Sequence, residues 1–267
     1  MHSRLKIAKY DTISTSCRTT RLCFRGKPIS TSSPQLPARS RCFLQDRLQV
    51  PLNSNIVDLG SGTGKFLPHL LKLTTQLIAV DPVANMLAQL KQLYPHVETI
   101  QARSEQLPLP DQCADLVSCA QSFHWFANLQ SLKEIHRILK PQGYLLLIWN
   151  QRDISVNWVN ALAQMILPFE GDTPRFHNQD WRQVFADTDL FQLTHEQKFH
   201  HTHVGTVEQV VSKRLLSTSF IAAMPTEQQQ QLKTQFEQLV LEYTNKHVQD
   251  EIEFPYCTHL YVYQKVE

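Results

Sequence analysis

Three glycines, Gly60, Gly62 and Gly64, stand between an apolar stretch and the start of a helical pattern. Residues 55–59 (NIVDL) read as a short buried strand and residues 65–73 as a helix. Without Cβ atoms the glycines can turn tightly and admit a ligand close to the main chain, and the N–H groups at the following helix start face that ligand. Strand and helix then alternate. Residues 77–80 (LIAV) form a second strand ending on Asp81, and Pro82 opens a helix to Tyr94 with Met86, Leu87 and Leu90 on one face. Residues 97–102 and 114–120 (ADLVSCA) give a third and a fourth strand. An amphipathic helix over residues 128–139 carries Leu129, Leu132, Ile135, His136 and Leu139 at helical spacing. Lys140-Pro141-Gln142-Gly143 ends it, and residues 144–150 form a fifth strand. This spacing predicts an α/β fold, a parallel sheet with helices on both faces and its ligand at the carboxyl ends of the strands.

Past residue 153 the pattern changes. Helical segments at 156–167, 181–185, 207–216 and 226–246, with a strand-like stretch at 196–203 between them, read as a helical substrate-lid region over residues 154–250, inserted after the fifth strand. Trp158, His177 and Trp181 in it either face a substrate or pack the region itself. Residues 252–265 read as a final strand, so that 251–267 completes the sheet of a core spanning 46–153. Residues 1–45 hold nine Lys or Arg and one acid, Asp11, among many Ser, Thr and Pro. They form either a divergent arm or lid in front of the core or an organellar transit segment.

Composition narrows the partners. A hydrophobic content of 42% over 267 residues supports a large core, and a net charge of +2 is too small for a nucleic-acid binder. No apolar run reaches the roughly 18 residues of a membrane span. The six cysteines form no CxxC pair, which fits a reduced cytoplasmic protein with buried thiols. His195, His200, His201 and His203 have no acid or cysteine completing a set, so no metal is expected. Nothing in the sequence sets the oligomeric state.

The ligand is narrowed by the acids around the glycines. The spacing is GxGxG, not the GxGxxG of a dinucleotide site. Asp58, two residues before the first glycine, suits a cationic ligand and would repel a pyrophosphate, which disfavours a nicotinamide oxidoreductase. Asp81, 21 residues after Gly60, can accept both hydroxyls of a ribose. A ribose-bearing nucleoside with a cationic tail is S-adenosylmethionine.

The segments VDLGSGTGKF, AVDPVANML, ARSEQLPLPDQCADLVSCAQSFHWF and EIHRILKPQGYLLLIWNQRD resemble the class I S-adenosylmethionine-dependent methyltransferases. Within them they are similar to the type 11 small-molecule branch and its trans-aconitate-methyltransferase-like subgroup. The similarity is strong over residues 54–153 and looser through RLLSTSF and FPYCTHLYVY. It implies a Rossmann-like sheet, mostly parallel with an antiparallel last strand, and S-adenosyl-L-methionine as cofactor. It also implies in-line methyl transfer to a small-molecule acceptor, with a carboxylate or hydroxyl favoured. The alternative is a cofactor-binding protein without turnover, because residues 22–51 diverge from the family. The front segment YDTISTSCRTTR has Cys17 where an aromatic is common.

On this resemblance Asp58, Gly60, Ser61 and Gly62 surround the methionine end, Gly64 belongs to the same cofactor-binding loop, Asp81 holds the ribose, and Pro82 and Met86 pack near the adenine. Arg103 and Ser104 meet the adenine edge, and Gln121 lies under the cofactor. Many members carry an acid at the position of Arg103 that accepts from the adenine amino group. Arg103 cannot accept, which leaves Glu105 or the main chain. His124, in the FHWF run, is the candidate general base or else a pocket histidine making one hydrogen bond. A base is required only if the acceptor must lose a proton. Trp125 and Phe126 either wall the methyl site or pack the core. Trp149 is expected against the substrate, and Arg152 either binds an acidic substrate or is a solvated surface residue. Gln121-Ser122-Phe123-His124 stands where nucleic-acid amine methyltransferases carry Asn-Pro-Pro-Tyr, so no nucleic-acid partner is expected.

Overall fold

Apolar runs too short for helices become the centre of a sheet. β1 (Ile56–Leu59), β2 (Leu77–Asp81), β3 (Glu98–Gln101), β4 (Ala114–Ala120), β5 (Leu139–Arg152), β6 (Phe191–Thr206) and β7 (Glu251–Lys265) form one seven-stranded sheet in the order β3-β2-β1-β4-β5-β7-β6. Neighbouring strands from β3 through β5 pair in parallel, and β7 runs antiparallel to both β5 and β6. All four residues of β1 are buried, as expected for a strand covered on both faces. The computed structural model describes residues 51, 53–171 and 174–267. The arm expected over residues 1–45, with Cys17, lies outside the described residues.

Strand alternation divides the core in two. Val57, Leu59, Val117, Leu145, Leu147 and Trp149 face one layer, with Leu132, Ile135 and Ile138 of α3 (Leu129–Ile138). Ile56, Ala79, Leu116, Leu146 and Ile148 face the other, with Leu67 and Leu70 of α1 (Leu67–Leu70) and Leu87 and Leu90 of α2 (Ala84–Leu93). α3 begins where the Asn128 side chain accepts the Ser131 N–H at 2.9 Å, an N-cap that satisfies one of the first free donors of the helix.

A third cluster joins Val159, Leu162 and Ile166 of α4 (Asn157–Ile166) to Leu232, Phe236 and Val240 of a long helix (Thr226–Thr244). It rests on Ile252, Phe254 and Tyr256 of β7. Because Tyr256 pairs with Arg152 at the carboxyl end of β5, these helices sit at the same end of the sheet as the glycine loop.

Three elements differ from their sequence pattern. The fifth strand, expected over residues 144–150, begins at Leu139, and Lys140–Gly143, expected to separate helix from strand, form a bulge within it with Gln142 at φ 62°. The helix expected over residues 65–73 is a single turn. Pro68 fits in that first turn, but by residue 74 the chain is pulled back, where Thr74 Oγ1 donates to the Ser54 carbonyl at 2.7 Å. Residues 154–250 also contain a sheet strand, β6, which runs from Phe191 to Thr206 along one edge. Its burial pattern is mostly exposed and half-buried, so only part of it carried a strand signal.

Candidate functional site

The order 3-2-1-4-5 reverses direction between β1 and β4, the position where open α/β sheets leave a crevice at their carboxyl ends. The loop after β1 holds Gly60, Gly62 and Gly64 at φ 72°, 55° and 80°, backbone that other residues resist. The N–H groups of Gly60 and Ser61 both donate to the Val80 carbonyl, at 2.8 and 3.1 Å, which folds the loop over β2. The loop after β4 meets it directly. A Cβ on Gly60 would lie 2.5 Å from the Cβ of Ser122, and Ser122 Oγ donates to the Leu59 carbonyl at 2.8 Å.

Two acids flank the glycines. Asp81 Oδ2 accepts the Gly62 N–H at 2.8 Å and Oδ1 accepts the Val83 N–H at 2.9 Å. Each oxygen retains a further lone pair for a ligand hydroxyl. Asp58 is 1% exposed. Its Oδ1 accepts the Ser118 hydroxyl at 2.6 Å across the β1–β4 register, while Oδ2 is buried without a hydrogen-bond partner among the described residues. Burial pushes the carboxyl up to about 7, with the Ser118 hydrogen bond opposing the shift and the nearby Asp81 charge adding to it. A buried, unpaired carboxylate oxygen is costly unless a donor reaches it, and a ligand ammonium is such a donor.

Beyond Gly60 a cleft of about 170 Å³ runs between Pro82, Arg103, Ser104, Glu105 and Trp125. The Ser104 hydroxyl is tied to Ser131 of α3 at 2.9 Å. Glu105 accepts Asn128 Nδ2 at 3.2 Å, and its hydrogen bonds, led by one to its own main chain, hold its carboxyl below the usual range. Met86 brings its sulfur to 3.7 Å from where a Gly62 Cβ would be. A larger cavity, about 370 Å³, lies at the opposite ends of the strands, against residues 55–57 and 75–78. The glycine loop and both acids are elsewhere, so size does not mark the site.

The loop after β4 continues through Gln121, whose main chain has φ 62° and whose Nε2 donates to the Asn150 carbonyl at 3.0 Å. His124 lies in the short turn Phe123–Trp125. Its Nδ1 accepts the Trp149 indole N–H at 3.0 Å. Burial, helped by the Arg175 charge, pushes His124 down to about 4. Trp125 is 54% exposed, and its ring centroid lies 5.3 Å from that of His124, whereas Phe126 packs edge-on to Phe123 in the core.

Trp149, expected against the substrate, is fully buried among Phe176, Trp181 and Tyr261, with ring centroids 4.9, 4.6 and 6.0 Å away. Strand alternation sets it on the face that Phe176 and Trp181 cover. Arg152 is half-buried, and its guanidinium has no hydrogen-bond or ion-pair partner among the described residues. Burial lowers its pKa, and the charges of Arg214 and Arg175 act the same way against Tyr256 and Glu170.

The sequence did not single out Ser118 or Ser122 as partners of the loop. For Ser118 a signal existed, a lone hydroxyl in the apolar run ADLVSCA. Ser122 carried none, since its contact with Gly60 depends on how two loops meet. Among the described residues, no group of three or more His, Cys, Asp or Glu could hold a metal ion, and no helix is long and apolar enough to cross a membrane.

Residues 57–147 match the family model of a methyltransferase domain. The chain is 32% identical over 226 residues to an uncharacterized methyltransferase-like protein of Schizosaccharomyces pombe, covering 84% of this chain and 88% of that protein. It is also 32% identical over 237 residues to a second, uncharacterized methyltransferase of the same yeast, covering 88% and 93%. Among solved structures, a putative type II methyltransferase from Anaeromyxobacter dehalogenans shares the fold with a TM-score of 0.62 at 16% identity, over 87% of this chain and 97% of that one. Geometry and relatives agree: the chain belongs to the class I S-adenosylmethionine-dependent methyltransferases.

Proposed function

We propose that the chain methylates an oxygen of a small-molecule acceptor, a hydroxyl or a carboxylate, at the carboxyl ends of β4 and β5. The observation that carries this reading is a pair of half-buried polar groups without acceptors among the described residues, the Arg152 guanidinium and His124 Nε2. Half-buried donors left without acceptors among the described residues favour an acceptor rich in oxygen, and Arg152 suits an acidic one.

The residues fit the cofactor. In this reading Asp58, Ser61 and the Gly60–Gly62 main chain hold its methionine end, and the orphaned Asp58 Oδ2 takes its ammonium. Asp81 keeps lone pairs for the ribose while fixing the loop, and Gly64 lets the loop close on α2. Pro82 and Met86 line the adenine. Glu105, ionised and beside the cleft, accepts the adenine amino group that Arg103 cannot, with Ser104 fixing that turn. Gln121 supports the cofactor from below. When bound, S-adenosylmethionine supplies a methyl group already activated on a sulfonium. The chain then has to align the acceptor and exclude water, and alignment alone can contribute roughly 7–11 kcal/mol at best. Trp125 borders the methyl, and the helices of residues 154–250, seated beside Arg152, cover the acceptor.

Incubation with methyl-labelled cofactor and a fractionated cell extract tests the reading. Label is expected in the small-molecule fraction. Label confined to RNA, DNA or protein would overturn it.

A further inference from the structure

The Trp149 indole nitrogen carries a hydrogen and cannot accept one. Its 3.0 Å hydrogen bond to His124 Nδ1 therefore requires a bare lone pair on that atom. A neutral imidazole has one N–H, so the proton sits on Nε2, and Nε2 has no acceptor among the described residues. Trp149 has no freedom to turn away, because Phe176, Trp181 and Tyr261 pack around it and it is fully buried. The Trp125 ring centroid lies 5.3 Å from that of the imidazole, and the Arg175 charge opposes a second proton on the ring.

We propose that Trp149 is a positioning residue that fixes His124 as the Nε2–H tautomer, so that His124 meets the methyl acceptor as a hydrogen-bond donor and not as a general base. The inference rests on the oxygen-acceptor reading above and selects within it. A nitrogen that already carries its proton cannot take one from an alcohol, and Nδ1 is held by the indole. With His124 set aside as a base, the acceptor that needs no other base is one ionised before transfer, which a carboxylate satisfies at neutral pH and an alcohol does not. Donation by His124 to the carboxylate oxygen that does not attack orients the group and leaves the other oxygen's lone pair free. Transfer forms one O–CH3 bond and breaks one S–CH3 bond. The electron pair comes from the carboxylate, the sulfonium becomes a neutral thioether, and no proton moves.

Two independent measurements test this. Long-range 1H–15N NMR of the imidazoles in the full chain at pH 7.5, with His124 assigned by its loss in H124Q, reports the tautomer without any turnover. A bare Nδ1 and a protonated Nε2 are expected, and W149F should convert this to a mixture of tautomers. A protonated Nδ1 in the parent protein, or an unchanged tautomer in W149F, would overturn the proposal. Separately, product labelled from methyl-labelled cofactor in a metabolite extract is treated with mild alkali. Release of the label as methanol marks an ester and supports the proposal. Alkali-stable label in an ether overturns it while leaving oxygen transfer intact. Absence of label from all small molecules overturns the oxygen-acceptor reading itself, and the carboxylate assignment with it.

Discussion

Asp81, at the end of β2, accepts the main-chain N–H of Gly62 at 2.8 Å, so one carboxylate both fixes the glycine loop and borders the expected ribose site. Its other oxygen takes the Val83 N–H at the start of α2. Replacement by Ala frees two main-chain donors and removes the proposed ribose acceptor together. Asp81→Ala is expected to weaken S-adenosylmethionine binding more than tenfold, about 1.4 kcal/mol or more. Calorimetric titration of the variant reads this directly, and unchanged affinity would mean the ribose is held elsewhere.

Asp58 gives a proton signature. Its carboxyl, near 3.8 in an unfolded chain, is raised to about 7 by burial in the folded one. Between these values the folded state holds a proton that the unfolded state has lost, so Asp58 makes stability fall as pH rises from about 4 to 7. Asp58→Asn should flatten that part of the melting-temperature profile. A ligand ammonium on Oδ2 would ionise the carboxyl, so cofactor binding at pH 6 should release close to one proton and at pH 8.5 almost none. Titration in buffers of different ionisation enthalpy measures the release, and a pH-independent value would remove Asp58 from the ammonium site.

Gly60 and Gly171 separate backbone strain from contact. Both have positive φ, 72° and 56°, and an added Cβ at Gly171 meets nothing within 4 Å. Gly171→Ala should therefore show only the left-handed penalty, about 1–2 kcal/mol. Gly60→Ala adds the collision with Ser122 and should cost clearly more while abolishing tight cofactor binding. Equal losses of stability in denaturant titrations would show that the two loops do not touch as described.

Arg137 of α3 holds the segment that follows the cleft residues Ser104 and Glu105. It donates to the carbonyls of Leu107 and Leu109 at 2.9 and 2.8 Å and pairs with Glu134 and Asp111. Asp111 is largely exposed and contributes little, so the carbonyl contacts dominate. Arg137→Ala should lose about 2 kcal/mol, or roughly 2–4 °C in Tm for each kcal/mol. It should also weaken cofactor binding through the loosened turn at Ser104 and Glu105. A variant that melts with the parent would place the bracing elsewhere.

The sheet was legible because its central strands are bare apolar runs, IVDL, LIAVD and ADLVSCA, with no reading other than buried strands once glycine and Asp81 punctuate them. The two acids beside the glycines were legible for the same reason, since each ends or precedes a turn fixed by sequence. What could not be read lies in contacts between distant segments. Trp149 stands near the end of β5, where a substrate contact is a natural expectation. Its burial depends on Phe176, from an irregular stretch, and on Trp181, from a short helical turn whose partner the sequence does not reveal. The Asp58–Ser118 contact depends on strand register, which short parallel strands do not announce, and the Gly60–Ser122 contact on how two loops meet. β6 was seen only in part because an edge strand alternates weakly and carries four histidines.

The central claim is that this glycine loop, with Asp58 and Asp81, binds S-adenosylmethionine. Isothermal titration of the full chain with S-adenosylmethionine, and separately with NAD, tests it most directly. Saturable binding of one S-adenosylmethionine per chain and no heat with NAD is the predicted result. Binding of NAD, or no binding of S-adenosylmethionine, would contradict it.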